Sequence, residues 1–335
     1  MVVVDGFFGD TGKGKVISYI ALKDRLDVCA RGGAGPNAGH TVVYKGRTYK
    51  LRMVPSGFVY EGCRLYIGAG VAVNPEVLLR EIEETGVRGR IGVDRQCAII
   101  EQRHIEADRR GHLKGKIGTT GSGTGPCNSE RAMRTVKLAR EVPELQEFLA
   151  DVALEVNEAI DDGKKVLIEG TQGTFLSLYH GTYPYVTSKD VTASAACSDV
   201  GVGPTKVDEV IMVLKAYVTR VGAGPLPGEL PWEEAQRRGW AEVATVTGRR
   251  RRAAPFNFDL ARRAAMLNGA TQIALTKLDV LYPECSGARR YDELPEEAKR
   301  FVSEIEEKVG VPVTLIGTGP EALDMVDLRA EKGLL

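Results

Sequence analysis

The stretch Val2-Val3-Val4-Asp5-Gly6-Phe7-Phe8-Gly9-Asp10-Thr11-Gly12-Lys13-Gly14-Lys15-Val16 decides how the rest of the chain is read. Val2–Val4 is a short apolar strand, Phe7–Lys15 a glycine-rich turn, and Val16–Leu26 has helical spacing at Val16, Ile17, Ile20 and Leu22. Strand, glycine loop and helix, in that order, open a phosphate-binding α/β fold. Gly9 to Lys15 fits G-x-x-x-x-G-K, but valine follows where serine or threonine is expected. The glycines (Gly9, Gly12, Gly14) let backbone N–H groups close around phosphates, with Lys13 or Lys15 supplying charge at a helix N-terminus. Because the hydroxyl is missing, Mg²⁺ needs another protein ligand, and Asp10 is the oxygen donor within the loop. Taken alone, the loop would also serve as a plain strand–helix turn with surface lysines.

Further along the chain, Thr41–Tyr44 and Arg47–Leu51 flank Lys45-Gly46 as a hairpin. Leu65–Ile67, Val166–Ile168, Val210–Val218, Ile273–Leu275 and Val313–Ile316 read as strands. Asn74-Pro75-Glu76 starts a helix. Glu144–Ile160, ending at Asp162-Gly163, reads as a long helix, with others at Phe258–Leu267 and Pro295–Lys308. The expected fold is α/β: a P-loop-NTPase-like, mostly parallel sheet with helices on both faces and loop-built subdomains. No Ser/Pro linker or internal repeat divides the chain, so residues 1–335 read as one large domain with inserted lobes.

The 335 residues carry 45 basic and 45 acidic side chains, a formal net charge of zero. That balance argues against a surface built for nucleic acid or anionic lipid. No run approaches the roughly 18 apolar residues of a membrane span, and the N-terminus shows no signal-peptide pattern, so a cytoplasmic location is expected. None of the 6 cysteines forms a CxxC, and they read as reduced packing thiols. Of the 4 histidines, His104 and His112 lie in a charged helical stretch and read as surface residues.

Gln272–Asp279 is a strand ending in Thr276-Lys277-Leu278-Asp279, the [NT]-K-x-D pattern of guanine-nucleotide-binding proteins. An aspartate there accepts from guanine N1–H and the exocyclic amine while the lysine stem covers the ring. Adenine would leave that carboxylate unpaired, a penalty of about 1–3 kcal/mol. Ile316-Gly317-Thr318-Gly319-Pro320 closes another strand, where backbone contacts to the base are available. Four further stretches mix glycine with small polar residues: Arg31–Thr41, Ile117–Pro126, Glu169–Thr174 with His180–Ser188, and Val246–Arg252. The arginine run 249–252 suits a carboxylate or phosphate as well as a solvated face.

Together these blocks, from GDTGKGK through NAGHT, IGTTGSGTGP, EGTQGT, HGTYPYVTS, KAYVTRVGAGP, TGRRRR and TKLDVL to TGP, run in order from Gly9 to Pro320. The sequence resembles the adenylosuccinate synthetase family, the GTP-dependent ligases that join IMP and L-aspartate. The resemblance implies that Asp10 takes the N1 proton of IMP and binds Mg²⁺ together with the Gly39 carbonyl. It implies that His40 stabilises charge as the γ-phosphoryl group moves to O6 of IMP, giving 6-phosphoryl-IMP for attack by the amine of aspartate. Gly9, Gly12, Lys13, Gly14 and Lys15 would cradle the GTP phosphates, and Lys277, Asp279, Gly317 and Gly319 the guanine. Asn37, Thr120, Gln172, Leu176, Thr187 and Arg249 align with the IMP site, as does Arg134, contributed in trans by the partner of a homodimer. Thr247, Arg249 and Arg251 would hold the carboxylates of aspartate.

The sequence departs from the family pattern in places. Thr11 replaces a glutamate, two extra residues precede Asn37, Ser177-Leu178-Tyr179 replaces an acidic stretch, and Val246 replaces a threonine. The chain is also shorter than many members, as in the compact archaeal-type branch. A regulatory GTP switch would use the phosphate loop and TKLD without ligation, leaving the TGRRRR, TTGSGTG and HGTYPYVTS loops without a purpose.

Overall fold

The computed structural model describes residues 1–111, 113–243 and 248–334. Strand β1 (Val2–Asp5) is buried throughout and lies between Val210–Lys215 and Val166–Glu169, parallel to both. The ten-stranded sheet runs, in spatial order, Met325–Asp327, Val313–Gly317, Gln272–Thr276, Val210–Lys215, β1, Val166–Glu169, β2 (Val28–Arg31), Arg64–Ile67, Ile91–Asp94 and Leu149–Ala150. Only Met325–Asp327, at one edge, is antiparallel to its neighbour. Successive valines of β1 face opposite sides, as a strand buried on both faces requires. Val3 packs with Val16, Ile17 and Ile20 of helix α1 (Lys13–Asp24), while Val2 and Val4 pack with Val156 and Ala196 on the other face. The fold is thus α/β with helices on both sides, as the sequence implies.

Several local expectations hold. The hairpin is His40–Tyr44 with Arg47–Leu51, and Asn74 caps Pro75–Thr85 by accepting from the Val77 amide at 3.0 Å. The 6 cysteines are free and buried.

Three expectations are corrected. Glu144–Ile160 is not one helix. Pro143–Phe148 is a 3₁₀ segment, Leu149–Ala150 joins the sheet edge beside Ile91–Asp94, and Asp151 starts a new helix, Val152–Asp161, by accepting from the Leu154 amide. Apolar residues used by the sheet edge mimic helical spacing there. Val210–Val218 is not one strand either. The chain leaves the main sheet after Lys215, with the Ala216 amide donating to Thr276 O at 2.9 Å, and Tyr217–Val221 joins a separate three-stranded sheet with Arg250–Pro255 and Glu242–Val243. A continuous β-forming run carries no mark of that change of partner. Finally, His104 is buried, not a surface residue: Nδ1 accepts from the Glu101 amide at 3.0 Å and Nε2 lies 3.0 Å from Glu130. It closes the junction between helices Gln102–Asp108 and Thr124–Met133. His112 lies outside the described residues.

Candidate active site

The glycine loop is gathered by a carboxylate that the motif does not include. Asp5, at the end of β1, accepts from the amides of Phe7 (2.8 Å), Gly9 (3.2 Å) and Thr11 (3.3 Å). It also accepts from the Thr11 hydroxyl (2.5 Å) and the Lys13 ammonium (3.2 Å). Thr11, where the family has glutamate, is therefore turned inward. Lys13 further donates to Gln172 O at 2.5 Å, stitching the loop to the Glu169–Thr174 segment. A Cβ on Gly173 would stand 2.2 Å from the Gly9 amide, so only glycine fits this crossing. Asp10 and Gln172 hold left-handed backbones (φ 58° and 53°), which turn both toward the space above the sheet.

That space consists of two chambers with a common wall. The larger, about 470 Å³, is lined by Asn37, Thr120, Gln172, Leu176, Thr187 and Arg249, all anticipated from the sequence, and by Arg220, which was not. Asn37 is fixed from two sides, donating to Thr187 Oγ1 at 3.0 Å and accepting from Gln172 Nε2 at 2.7 Å. Arg249 donates to Gly118 O at 2.8 Å, tying its loop to the Ile117–Pro126 loop. The second chamber, about 370 Å³, is lined by Gly12, Lys13, Gly14, Lys15, Lys277 and Gly319 among others. Asp10, Lys13, Gly39 and His40 line both. Lys15 donates to Asp324 O at 2.6 Å and to Gly319 O; burial lowers its pKa to about 8, with Asp324 and Asp279 opposing.

His40 is buried on an ion-pair platform. Its Nδ1 lies 2.6 Å from Glu169 Oε1, which also takes Arg31 at 2.7 Å, while Oε2 accepts from the Ser56 amide at 2.6 Å. His40 Nε2 has no hydrogen-bond partner among the described residues. Burial lowers the imidazole pKa to about 4 against the pull of Glu169, so the ring is neutral near pH 7. Burial pushes Glu169 the other way, but His40, Arg31 and the Ser56 amide outweigh it and hold the carboxyl near 2.

Asp10 Oδ1 lies 3.1 Å from Arg251 Nη2, and Arg251 Nη1 pairs with Glu242. Glu242 lines the second chamber and also holds Lys215 at 2.9 Å. Asp5 and Glu242 lie outside the motif blocks, and Arg31 and Lys215 open blocks without being singled out in them, although Asp5 stands out as an acid ending a buried apolar strand.

Some anticipated residues do not line either chamber. Asp279 sits half-buried in the short helix Leu278–Leu281, and Gly317 ends its strand, with its Cα side facing Thr276 and Lys15. Arg134 is exposed, capping helix Thr124–Met133 with φ 65°. Thr247 and Val246 lie outside the described residues.

Residues 2–141, 135–283 and 282–326 match the profile of the adenylosuccinate synthetase family. The chain is similar to the adenylosuccinate synthetase of Archaeoglobus fulgidus, 57% identical over 332 residues, covering 99% of this chain and 98% of that one. It is similar to that of Methanocaldococcus jannaschii, 58% identical over 334 residues with 98% and 97% covered. Among solved structures, fully ligated adenylosuccinate synthetase from Plasmodium falciparum superposes with a TM-score of 0.91 at 27% identity, covering 97% and 99%. Cyanophage S-2L succinoaminodeoxyadenylate synthetase, bound to dGMP and dATP as an energy donor, superposes with a TM-score of 0.81 at 26% identity, covering 99% and 97%. With two chambers meeting at Asp10 and His40 and likeness along nearly its whole length, the chain belongs to the adenylosuccinate synthetase family, GTP-dependent ligases joining IMP and aspartate in purine biosynthesis.

Proposed function

We propose that the two chambers divide the ligation between them, with GTP in the Gly12–Lys15 chamber and IMP in the Asn37–Arg249 chamber. The observation that carries this reading is their common wall: a group leaving one chamber for the other passes Asp10 and His40. Asp10 takes the proton from N1 of IMP as O6 attacks the γ-phosphorus and the bond to GDP breaks. His40 takes up a proton as the phosphates come to lie beside Nε2, which has no partner among the described residues, and the imidazolium donates from Nε2 to the phosphoryl oxygens as charge shifts to the leaving GDP. Phosphoryl transfer needs positioning and charge stabilisation above all. The amine of aspartate then attacks C6 of 6-phosphoryl-IMP and expels phosphate, while Arg249, Arg251 and Thr247 hold its carboxylates.

Mg²⁺ fits this donor set. The shared wall offers one carboxylate, Asp10, and a backbone carbonyl, Gly39, and Mg²⁺ characteristically takes one or two carboxylates plus phosphates and water. When bound, the ion neutralises charge on the phosphates. Lys277, Asp279, Gly317 and Gly319 select guanine. The cyanophage relative binds dATP as its energy donor, so nucleotide choice rests on local residues rather than on the fold. Arg134, exposed and not among the residues lining its own chambers, serves the IMP phosphate of the partner in a homodimer. No described helix is long and apolar enough to cross a membrane, and we place the enzyme in the cytoplasm.

A product assay with GTP, IMP, aspartate and Mg²⁺, omitting each in turn, tests the reading. Adenylosuccinate should form only when all are present. GTP hydrolysis that proceeds equally without IMP would instead indicate a switch GTPase.

A further inference from the structure

We propose that Glu242 is a positioning residue for the amino-acid substrate: it holds the Arg251 guanidinium so that one donor edge stays available to a carboxylate. This rests on the reading above that Arg251 binds aspartate.

The geometry is specific. Glu242 lies in the two-residue strand Glu242–Val243, directly opposite Arg251 in the antiparallel register. Cross-strand neighbours of opposite charge meet at short range. The Glu242 carboxylate pairs with Arg251 Nη1, accepts from the Tyr217 hydroxyl and takes Lys215 Nζ at 2.9 Å. Lys215 is itself fixed, donating to Thr219 Oγ1 at 2.9 Å and approaching Asp10 O at 3.5 Å. Tyr217 is stacked on Trp240 at 4.9 Å, so the acceptor side of the network rests on a rigid base.

Arg251 is thereby held by Nη1 on one side. Its Nη2 reaches Asp10 Oδ1 at 3.1 Å, and its buried Nε has no partner among the described residues. Nε and Nη2 form the lateral edge of a guanidinium, the edge that grips a carboxylate with two parallel hydrogen bonds. With Nε unpartnered among the described residues, and with Nη2 keeping a second N–H beyond its contact with Asp10, the lateral edge has donors left for such a ligand. Two cations (Lys215, Arg251) face two anions (Asp10, Glu242). Without the Glu242 charge, Asp10 becomes the sole anion for both cations. Arg251 is then drawn onto Asp10, and its lateral edge is lost to the substrate.

The test compares Glu242→Gln, Arg251→Leu, Lys215→Met and the double variant Lys215→Met/Glu242→Gln in steady-state assays of adenylosuccinate formation. Glu242→Gln should raise the KM for aspartate roughly tenfold, the effect of one misplaced charge-assisted hydrogen bond. The KM values for GTP and IMP should change less than about twofold. Glu242→Gln leaves Lys215 buried without its anion, so the double variant guards against a misfolded protein. Its melting temperature should return toward that of the unmodified enzyme while the raised aspartate KM persists. Lys215→Met alone should leave the aspartate KM near normal. If Arg251→Leu raises the aspartate KM but Glu242→Gln does not, Glu242 has no positioning role and the proposal is overturned. If Arg251→Leu leaves the aspartate KM unchanged, the underlying assignment of Arg251 fails instead. Equal rises in all three KM values in the folded double variant would also overturn the proposal, because a general loosening of the site would explain them.

Discussion

Replacing His40 with asparagine separates the two nitrogens of the ring. The asparagine amide stands roughly where Nδ1 stood, so Glu169 retains a donor beside Arg31 and the Ser56 amide, whereas Nε2 is deleted. This choice matters because Arg31 and Glu169 are fully buried, and leaving either unpaired would cost about 3–5 kcal/mol. Rearranging one hydrogen bond should cost only about 1 kcal/mol of stability at pH 7. The expected loss in kcat is much larger, about 10²- to 10⁴-fold, the usual contribution of a positioned proton donor. A second signature comes from acid. The His40 pKa is about 4 in the folded protein against 6.5 unfolded, so the unfolded chain takes up the proton first as pH falls. Stability present above pH 6.5 is therefore lost progressively toward pH 4, by about 3 kcal/mol in all. His40→Asn should lack that part of the slope. Adenylosuccinate formation followed chromatographically, with melting curves at pH 7 and pH 5, measures both effects. A variant with kcat within about threefold of normal would remove His40 from the chemistry. An unchanged acid slope would refute the account of its burial.

GTP binding near pH 7 should take up a proton, because a phosphate beside Nε2 favours the imidazolium form that burial disfavours; titration calorimetry in buffers of different ionisation heat measures this, and His40→Asn should show less uptake. Asp279→Asn should reduce the preference for GTP over ATP by about 1–3 kcal/mol, read from kcat/KM with each nucleotide; an unmodified enzyme that uses both equally would mean that TKLD is misread. Arg134→Leu should weaken IMP binding by about 2–3 kcal/mol, read from the KM for IMP. Mixing Arg134→Leu with Asp10→Ala chains should restore about a quarter of full activity, since half of a statistical mixture is hybrid with one intact site each. No recovery in a mixture shown to contain hybrids would place Arg134 in its own subunit's site or outside it.

The loops were legible in the sequence because their requirements are local. A glycine loop after a buried strand, an Asn37 in a polar loop and a TKLD at a strand end each declare themselves within a few residues. Partnerships that depend on strand order did not. Arg31 and Glu169 meet because β2 and Val166–Glu169 are parallel neighbours in register, 138 positions apart in the chain. Lys215 faces Glu242 because the chain changes sheets at Ala216, and nothing in that β-forming run marks the change. The helix expected at Glu144–Ile160 failed for a similar reason: apolar spacing cannot distinguish a helix face from an edge strand followed by a capped helix. His104 looked solvated because its neighbours in sequence are charged, yet its ring is buried, closed in by the Glu101 backbone amide and by Glu130 of the following helix.

The two aspartates of the first loop show how position, rather than residue type, assigns the chemistry. Asp5 is almost fully buried and accepts from three amides, one hydroxyl and one ammonium, so its oxygens have no capacity left for substrate. Asp10, five residues on, has a left-handed backbone and a quarter-exposed side chain whose carboxylate meets Arg251 at the wall between the chambers. On the proposed reading Asp10 receives a proton and binds Mg²⁺, which a carboxylate already holding a loop together through five donors could not do. Asp5 takes the structural load, and in doing so it holds Lys13 and Thr11 inward and leaves Asp10 turned to the chambers. The loop therefore uses its two acids differently: Asp5 holds it together, and Asp10 is left for the role in proton transfer and metal binding proposed above.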